Sequence, residues 1–299
     1  MTHPDASDPA SAAIEVVDSV LRGWPLPDVA DDDDKEGRGR VLIVAGSREI
    51  PGAAVLAALA ALRSGAGKLL LASAASVAQG IALAVPEARV MSLAESASGG
   101  IEPAAVAQLA PLAQRTDAVL IGPGLLGGDA SCRFVHRLLP VFRDVPVLLD
   151  ALAMDVIGLQ HRFDQPVVLT PHAGEMAHLS GRSKETIRSD PQGVSREAAM
   201  RWNAVVALKG AVTWIAAPDG SLWRHRGGSI GLATSGSGDA LAGIIVGLLA
   251  RGATPVQATL WGVVLHARAG ERLARRLGAL GFLARDISAE VPALLEALG

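Results

Sequence analysis

The residues best suited to chemistry lie late in the chain, in Thr234-Ser235-Gly236-Ser237-Gly238-Asp239, directly ahead of the apolar run 240–249. Two glycines flank a hydroxyl residue, and glycine permits positive φ and close approach of a ligand to the main chain. The helix predicted to follow offers free amides and a positive dipole end, which favour a bound anion. Asp239 at that helix start is the wrong charge to hold a phosphate. Its chemistry is to hold, or take a proton from, the group that reacts with one. A competing reading of the same six residues is a glycine-rich turn with Asp239 as a helix cap.

Other reactive residue types recur at the ends of short apolar runs. These are Gly46-Ser47, Gly122-Pro123-Gly124, Asp150, Thr170-Pro171-His172-Ala173-Gly174-Glu175 and Lys209-Gly210. The runs that precede them, 40–45, 118–121, 147–149, 167–169 and 205–208, read as buried parallel strands. Strands are also expected at 68–72 and 89–93, and a hairpin at 213–217 and 222–224. Helices are expected at 11–21, capped by Ser11, and at 51–64, with Pro51 in the first turn. Further helices fall at 76–85, 102–114, 129–142, 196–202, 255–277 and 289–298. The alternation predicts a three-layer α/β/α fold around a mainly parallel sheet. Ligands of such sheets bind beyond the carboxyl ends of the strands, where these residues stand.

Several of them have structural readings. Gly122-Pro123-Gly124 could be a turn, Asp150 a helix cap, and Glu175 a favourable first-turn acid. Lys209 directly follows an apolar strand, so it needs a phosphate or carboxylate partner. His266 on a helix with Leu265 and Ala269 reads as structural, and Cys132 as a small core residue. The five tryptophans form no stacking ladder.

Composition narrows the function classes. The chain has 299 residues, half of them hydrophobic, with 33 glycines and a net charge of −3. The absence of basic excess argues against nucleic acid. One cysteine excludes an intramolecular disulfide and a multi-cysteine metal site, and suits a reducing cytoplasm. The first residues do not resemble a signal peptide, and no membrane span is expected. Residues 1–34 read as a tail with a short helix and 35–299 as one domain, with the solvated charge run 31–35 spanning the boundary. There is no G-x-x-x-x-G-K-[ST] loop, complete dinucleotide fingerprint, H-E-x-x-H motif or hydrolase G-x-S-x-G elbow.

Taken in order, the motifs resemble a known family. Gly236-Ser237-Gly238-Asp239 before an Ala/Gly-rich helix is similar to the anion hole and catalytic Asp of the ribokinase-like superfamily. Pro51-Gly52-Ala53-Ala54, Arg63-Ser64-Gly65-Ala66-Gly67-Lys68, Pro86-Glu87, Gly122-Pro123-Gly124, Asp150-Ala151, Thr170–Glu175, Leu208-Lys209-Gly210 and Gly231-Leu232-Ala233-Thr234 complete a series. It resembles the ADP/ATP-dependent NAD(P)H-hydrate dehydratases, from about Lys35 to the C-terminus. The resemblance implies a stand-alone dehydratase that uses ADP, with Mg²⁺, to restore NADH or NADPH from the S forms of hydrated NADHX and NADPHX. Ala53, Ala54, Gly124, His172 and Asp239 would contact the hydrated nicotinamide nucleotide. Lys209, Gly210, Ala211, Val212, Thr213 and Gly238 would hold the adenine nucleotide, and Gly236, Ser237 and Gly238 would form the anion hole. Asp239 would be the base, and no protein-held metal site is expected. The resemblance further implies a cytoplasmic homotetramer and a separate epimerase as functional partner, since no epimerase half is present.

The chain departs from the family pattern at four places. Ala173 replaces the second Pro of TPHPGE, Ser237 replaces Thr in GTGD, and Ser229-Ile230 stand where Asn is common before Gly231. Asp34 stands before Lys35 in place of His. The rival readings are a kinase of the same fold, acting on hydroxyethylthiazole or hydroxymethylpyrimidine, and an inactive nucleotide-binding protein. The first would use Asp239 equally but release a stable phosphorylated product.

Overall fold

A computed structural model describes residues 13–28 and 37–298. The expectations placed on residues 1–12 and 31–35, among them the tail, Ser11 and the Asp34-Lys35 pair, fall outside these residues. The chain begins with β1 (Ile14–Glu15), α1 (Asp18–Arg22), β2 (Arg40–Val44), α2 (Pro51–Arg63), β3 (Lys68–Ala74), α3 (Ala75–Ala84) and β4 (Arg89–Leu93). It continues through α4 (Val106–Leu109), β5 (Ala118–Ile121), α5 (Asp129–Leu138), β6 (Val147–Leu149), β7 (Val167–Leu169), α6 (Ala173–Ser180), α7 (Lys184–Ser189) and α8 (Pro191–Trp202). The last third holds β8 (Val205–Leu208), β9 (Thr213–Ala216), β10 (Leu222–His225), α9 (Ser237–Ala250), α10 (Pro255–Leu277) and α11 (Ala284–Leu298).

These strands form one sheet in the order β1-β10-β9-β8-β7-β6-β5-β2-β3-β4. Pairings from β4 through to β8 are parallel, and β9 is antiparallel to both of its neighbours. Successive side chains of a strand point to opposite faces. Val41 and Ile43 therefore join the core under α2, α9, α10 and α11, and Leu42 and Val44 join the opposite core with α5 and α8. This is the expected three-layer α/β/α arrangement with a mainly parallel sheet.

Chain order reverses between β2 and β5, because β3 and β4 build outward on one side and β5 to β8 on the other. Such a switch point opens a crevice at the strand ends. Helices α2 and α9 run side by side in the same direction over the sheet. A Cβ on Gly243 would lie 2.3 Å from the Ala57 carbonyl oxygen, and one on Gly247 2.6 Å from that of Ala61. Small residues on both helices thus bring the backbones together, and both amino-terminal ends point toward the strand ends.

Several expected elements differ. Among the described residues of 11–21 only those of Asp18–Arg22 are helical, because Ile14–Glu15 pairs with β10. The Val16 amide donates to the Arg224 carbonyl at 2.8 Å. The helix expected at 102–114 is broken into 3₁₀ turns at Pro103–Ala105 and Ala110–Arg115 around α4. Pro103 and Pro111 remove amide donors and disfavour a continuous α ladder. Pro140 likewise ends α5 at Leu138, leaving a 3₁₀ turn at Leu139–Phe142. Helix α11 begins at Ala284, before the expected 289, and contains Pro292.

Candidate active site

The first turn of α9 organises the site. Gly236 is its N-cap, in a left-handed conformation with φ +87°. The first-turn amides have no intrahelical partner, although that of Ser237 donates to the Thr234 carbonyl at 3.2 Å. A Cβ on Gly236 would lie 2.4 Å from Leu56 Cδ1 of α2, so the turn is pressed against the neighbouring helix. Gly238 leaves room for the head of Lys209, whose Nζ would be 3.3 Å from a Cβ there.

These residues line a cavity of about 860 Å³, within the usual range for ligand sites. Its walls include Asp150, His172, Glu175, the loop from Lys209 to Thr213 except Val212, and 236–239. Strand ends deliver its charged pair, Asp150 and Lys209. Asp150 follows β6, Thr170 follows β7, and Lys209 follows β8, where it donates its amide to the Pro171 carbonyl at 2.8 Å.

Charge is concentrated around Lys209. Its Nζ lies 3.3 Å from Asp150 Oδ1 and 4.0 Å from Glu175 Oε2, and its side chain is 21% exposed. Burial opposes its charged form, but the carboxylates of Asp150, Glu175 and Asp239 outweigh that and hold its pKa above the ordinary lysine value. Asp150 is 3% exposed and accepts a 2.6 Å hydrogen bond from the Thr170 hydroxyl. Its side chain makes no helix cap. The carboxylate partner that Lys209 required is thus Asp150. The next residue, Ala151, has φ +50°, a conformation that costs a non-glycine residue energy and clusters at functional sites.

Asp239 has a pKa raised to about 7, first by burial and then by the like charge of Asp150, with Lys209 opposing both. A carboxylate poised there matches the requirement for a general base near neutral pH. His266 lies against the same turn. Its Nε2 is 3.0 Å from Ser237 Oγ and 3.1 Å from the Ser237 carbonyl oxygen. Burial, with Lys209 nearby, lowers its pKa to about 4, so the ring is neutral. The purely structural reading of His266 needs correction, because it lines the cavity and braces Ser237. An isolated histidine on an apolar helix was the only sequence signal of it.

His172 has two duties. Its Nδ1 accepts from the amides of Gly174 and Glu175 at 2.9 and 3.1 Å, and Glu175 Oε2 accepts from the His172 amide at 2.7 Å. This capping box starts α6. The ring also lines both this cavity and a second one of about 800 Å³, which Val212 lines with Trp214, Lys184 and Arg188.

Ala53, Ala54 and Gly124 sit at the switch point, outside the cavity wall. A Cβ on Gly124 would lie 2.9 Å from Ala53 Cβ and 2.4 Å from the Ile50 carbonyl oxygen. Ala54 is fully buried under Gly46, so its side chain lies beneath this surface. The cluster meets the cavity through α2, whose Leu56 touches Gly236. Sequence reasoning missed His225, Gly227 and Gly228, which line the cavity beyond the hairpin. Their only signal was position, at the end of an expected strand.

A parallel three-layer fold with this helix start and a neighbouring poised carboxylate is of the ribokinase-like class. Residues 41–293 match the family described as NAD(P)H-hydrate dehydratase. The chain is 49% identical over 283 residues to the ADP-dependent (S)-NAD(P)H-hydrate dehydratase of Xanthomonas campestris pv. campestris, covering 95% of this chain and 96% of that protein. It is 39% identical over 264 residues to the bifunctional NAD(P)H-hydrate repair enzyme of Moorella thermoacetica, covering 87% of this chain and 50% of that one. The crystal structure of ADP/ATP-dependent NAD(P)H-hydrate dehydratase from Bacillus subtilis, co-crystallised with ATP/Mg²⁺, superposes with a TM-score of 0.84 at 30% identity. That match covers 97% of this chain and all of the other. The chain belongs to the NAD(P)H-hydrate dehydratase family.

Proposed function

We propose that this protein is an ADP-dependent (S)-NAD(P)H-hydrate dehydratase that restores NADH and NADPH from their hydrates. The observation that carries the reading is Asp239, a base with a pKa near 7 at an amide-lined helix start, beside Lys209. Asp239 takes the proton of the hydroxyl on C6 of the hydrated ring, and that oxygen attacks the terminal phosphorus of ADP. The bond from phosphorus to the bridging oxygen breaks, and AMP leaves. Amides of 236–238 and Lys209 balance the negative charge on the transferring group. The C6–O bond then breaks with the ring nitrogen lone pair pushing, phosphate departs, and loss of the C5 proton completes the reduced ring. Phosphorylation turns hydroxide, a poor leaving group, into a good one.

In this reading Lys209, Gly210, Ala211, Val212, Thr213 and Gly238 hold the nucleotide. Ala53, Gly124 and His172 face the hydrated nicotinamide, with Ala54 supporting Ala53 from below. Asp150 and Thr170 fix the position and charge of Lys209. Ser237 keeps the hydroxyl of the usual threonine, and His266 orients it.

Mg²⁺ fits as an ion carried by the nucleotide. Among the described residues no group of three His, Cys, Asp or Glu could hold a metal. Magnesium binds readily through phosphates with one or two carboxylates, and Glu175 and Asp150 are the carboxylates at hand. When bound it neutralises phosphate charge.

Among the described residues no helix is long and apolar enough to cross a membrane. A cytoplasmic homotetramer, served by a separate epimerase that converts the R hydrate, completes the proposal. Product analysis separates this reading from a small-molecule kinase. Incubation with the S hydrate and ADP is expected to yield reduced nicotinamide, AMP and phosphate in equal amounts. Accumulation of a stable phosphorylated product without free phosphate would favour the kinase.

A further inference from the structure

We propose that His225 reads the nucleobase, with its Nε2 accepting a hydrogen bond from the 6-amino group of adenine. The inference rests on ADP as the occupant of the cavity and goes further by assigning a base-selecting residue.

His225 closes β10 and lines the cavity, yet is only 6% exposed. Its Nδ1 lies 2.9 Å from the Val16 carbonyl oxygen. A carbonyl only accepts, so Nδ1 carries the hydrogen, which leaves Nε2 as the ring nitrogen able to present a lone pair. Nε2 is buried and has no hydrogen-bond partner among the described residues. An unpaired buried acceptor is unfavourable and calls for a ligand donor. Gly227 leaves no side chain over that lone pair, where a Cβ would stand 2.5 Å from Nε2.

The position selects the part of the ligand. Thr213 pairs with His225, and Trp214 with Leu208, the residue before Lys209. His225 is therefore two strand spacings, roughly 10 Å, from the end of β8, where Lys209 meets phosphate. The intervening wall includes Leu232, Val263 and Ala267, an apolar lining that suits the face of a flat ring. Away from the phosphates a nucleotide offers hydrogens from ribose hydroxyls and from the exocyclic amine, and an apolar slot suits the base and its amine. Val16, just after β1, precedes the family-matched region 41–293, so the amino-terminal segment sets the tautomer of a residue 209 positions away.

The test is calorimetric titration of the whole protein with ADP and with inosine diphosphate, whose 6-position carries a keto oxygen. Wild type is expected to prefer ADP by about ten-fold or more, equal to about 1.4 kcal/mol. His225→Phe removes the acceptor, and Gly227→Ala covers it while keeping the imidazole. Both are expected to weaken ADP binding and to bring the preference below about three-fold. Undiminished preference in Gly227→Ala and in folded His225→Phe would overturn the proposal. So would equal weakening toward both nucleotides, the result expected of a ribose contact or a purely structural role. Absence of ADP binding to wild type would remove the proposed function as well. ADP binding that prefers adenine equally in all three proteins would remove His225 alone.

Discussion

Asp239 and Lys209 set each other's protonation, and Asp150 acts on both. Replacing Asp150 by Asn removes the like charge that raises the Asp239 pKa, so the rise of kcat/KM with pH should move below about 7. Lys209→Met should move it in the opposite direction, because Lys209 lowers that pKa. A pH profile of each variant checks this, and shifts of the same sign would contradict it. Linkage gives a second test. A carboxyl whose folded pKa exceeds its unfolded value binds more protons folded than unfolded, so its contribution to stability falls as pH rises from about 4 to about 7. Asp239→Asn should therefore be more stable than wild type toward urea at pH 8, with the gain vanishing near pH 4. Turnover of that variant should fall by about 10²–10⁴-fold while ADP still binds. Unchanged turnover would remove Asp239 from the chemistry.

Helices α2 and α9 carry the glycine-rich turn 236–238 on a contact made of small side chains. Alanine is intrinsically the better helix former, by about 1 kcal/mol over glycine. Even so, Gly243→Ala should destabilise the protein by about 1–3 kcal/mol, because its Cβ would meet the Ala57 carbonyl oxygen at 2.3 Å. Denaturant unfolding measures it, and a stabilised variant would show that the two helices separate at little cost. Much at this scale was legible in the sequence. Apolar runs ending in Gly, Asp, His or Lys gave the parallel strands and their carboxyl ends. Less legible were elements decided by competition. Pro103, Pro111 and Pro140 outweighed hydrophobic periodicity, and pairing with β10 drew 14–15 into a strand. His172 looked like a ligand residue, and its cap of α6 depends on the amides of Gly174 and Glu175.

Across the whole molecule, one sheet gathers residues from position 150 to position 267 around a single cavity. Linear order exposed the residues that stand in compact motifs, including Gly236–Asp239 and Lys209. It concealed those whose importance comes from distant partners. His225 depends on Val16, and His266 on Ser237 across 29 positions. Asp150 could be assigned between cap and site only once Lys209 and Thr170 were placed beside it. The switch point likewise brings Gly46, Ala53 and Gly124 together, apart from the cavity but joined to it by α2. In the proposed reading the hydrated ring lies on one side of the α9 start and the nucleotide on the other, with Asp239 between them. The most direct test follows the hydroxyl oxygen. The S hydrate carrying a heavy-oxygen label at its C6 hydroxyl is mixed with enzyme and ADP, and the label is located by mass spectrometry. Transfer to that oxygen followed by elimination predicts the label in inorganic phosphate, with reduced nicotinamide and AMP formed in equal amounts. Label recovered in water, with reduced nicotinamide restored, would contradict phosphorylation of the hydroxyl and the role assigned to Asp239.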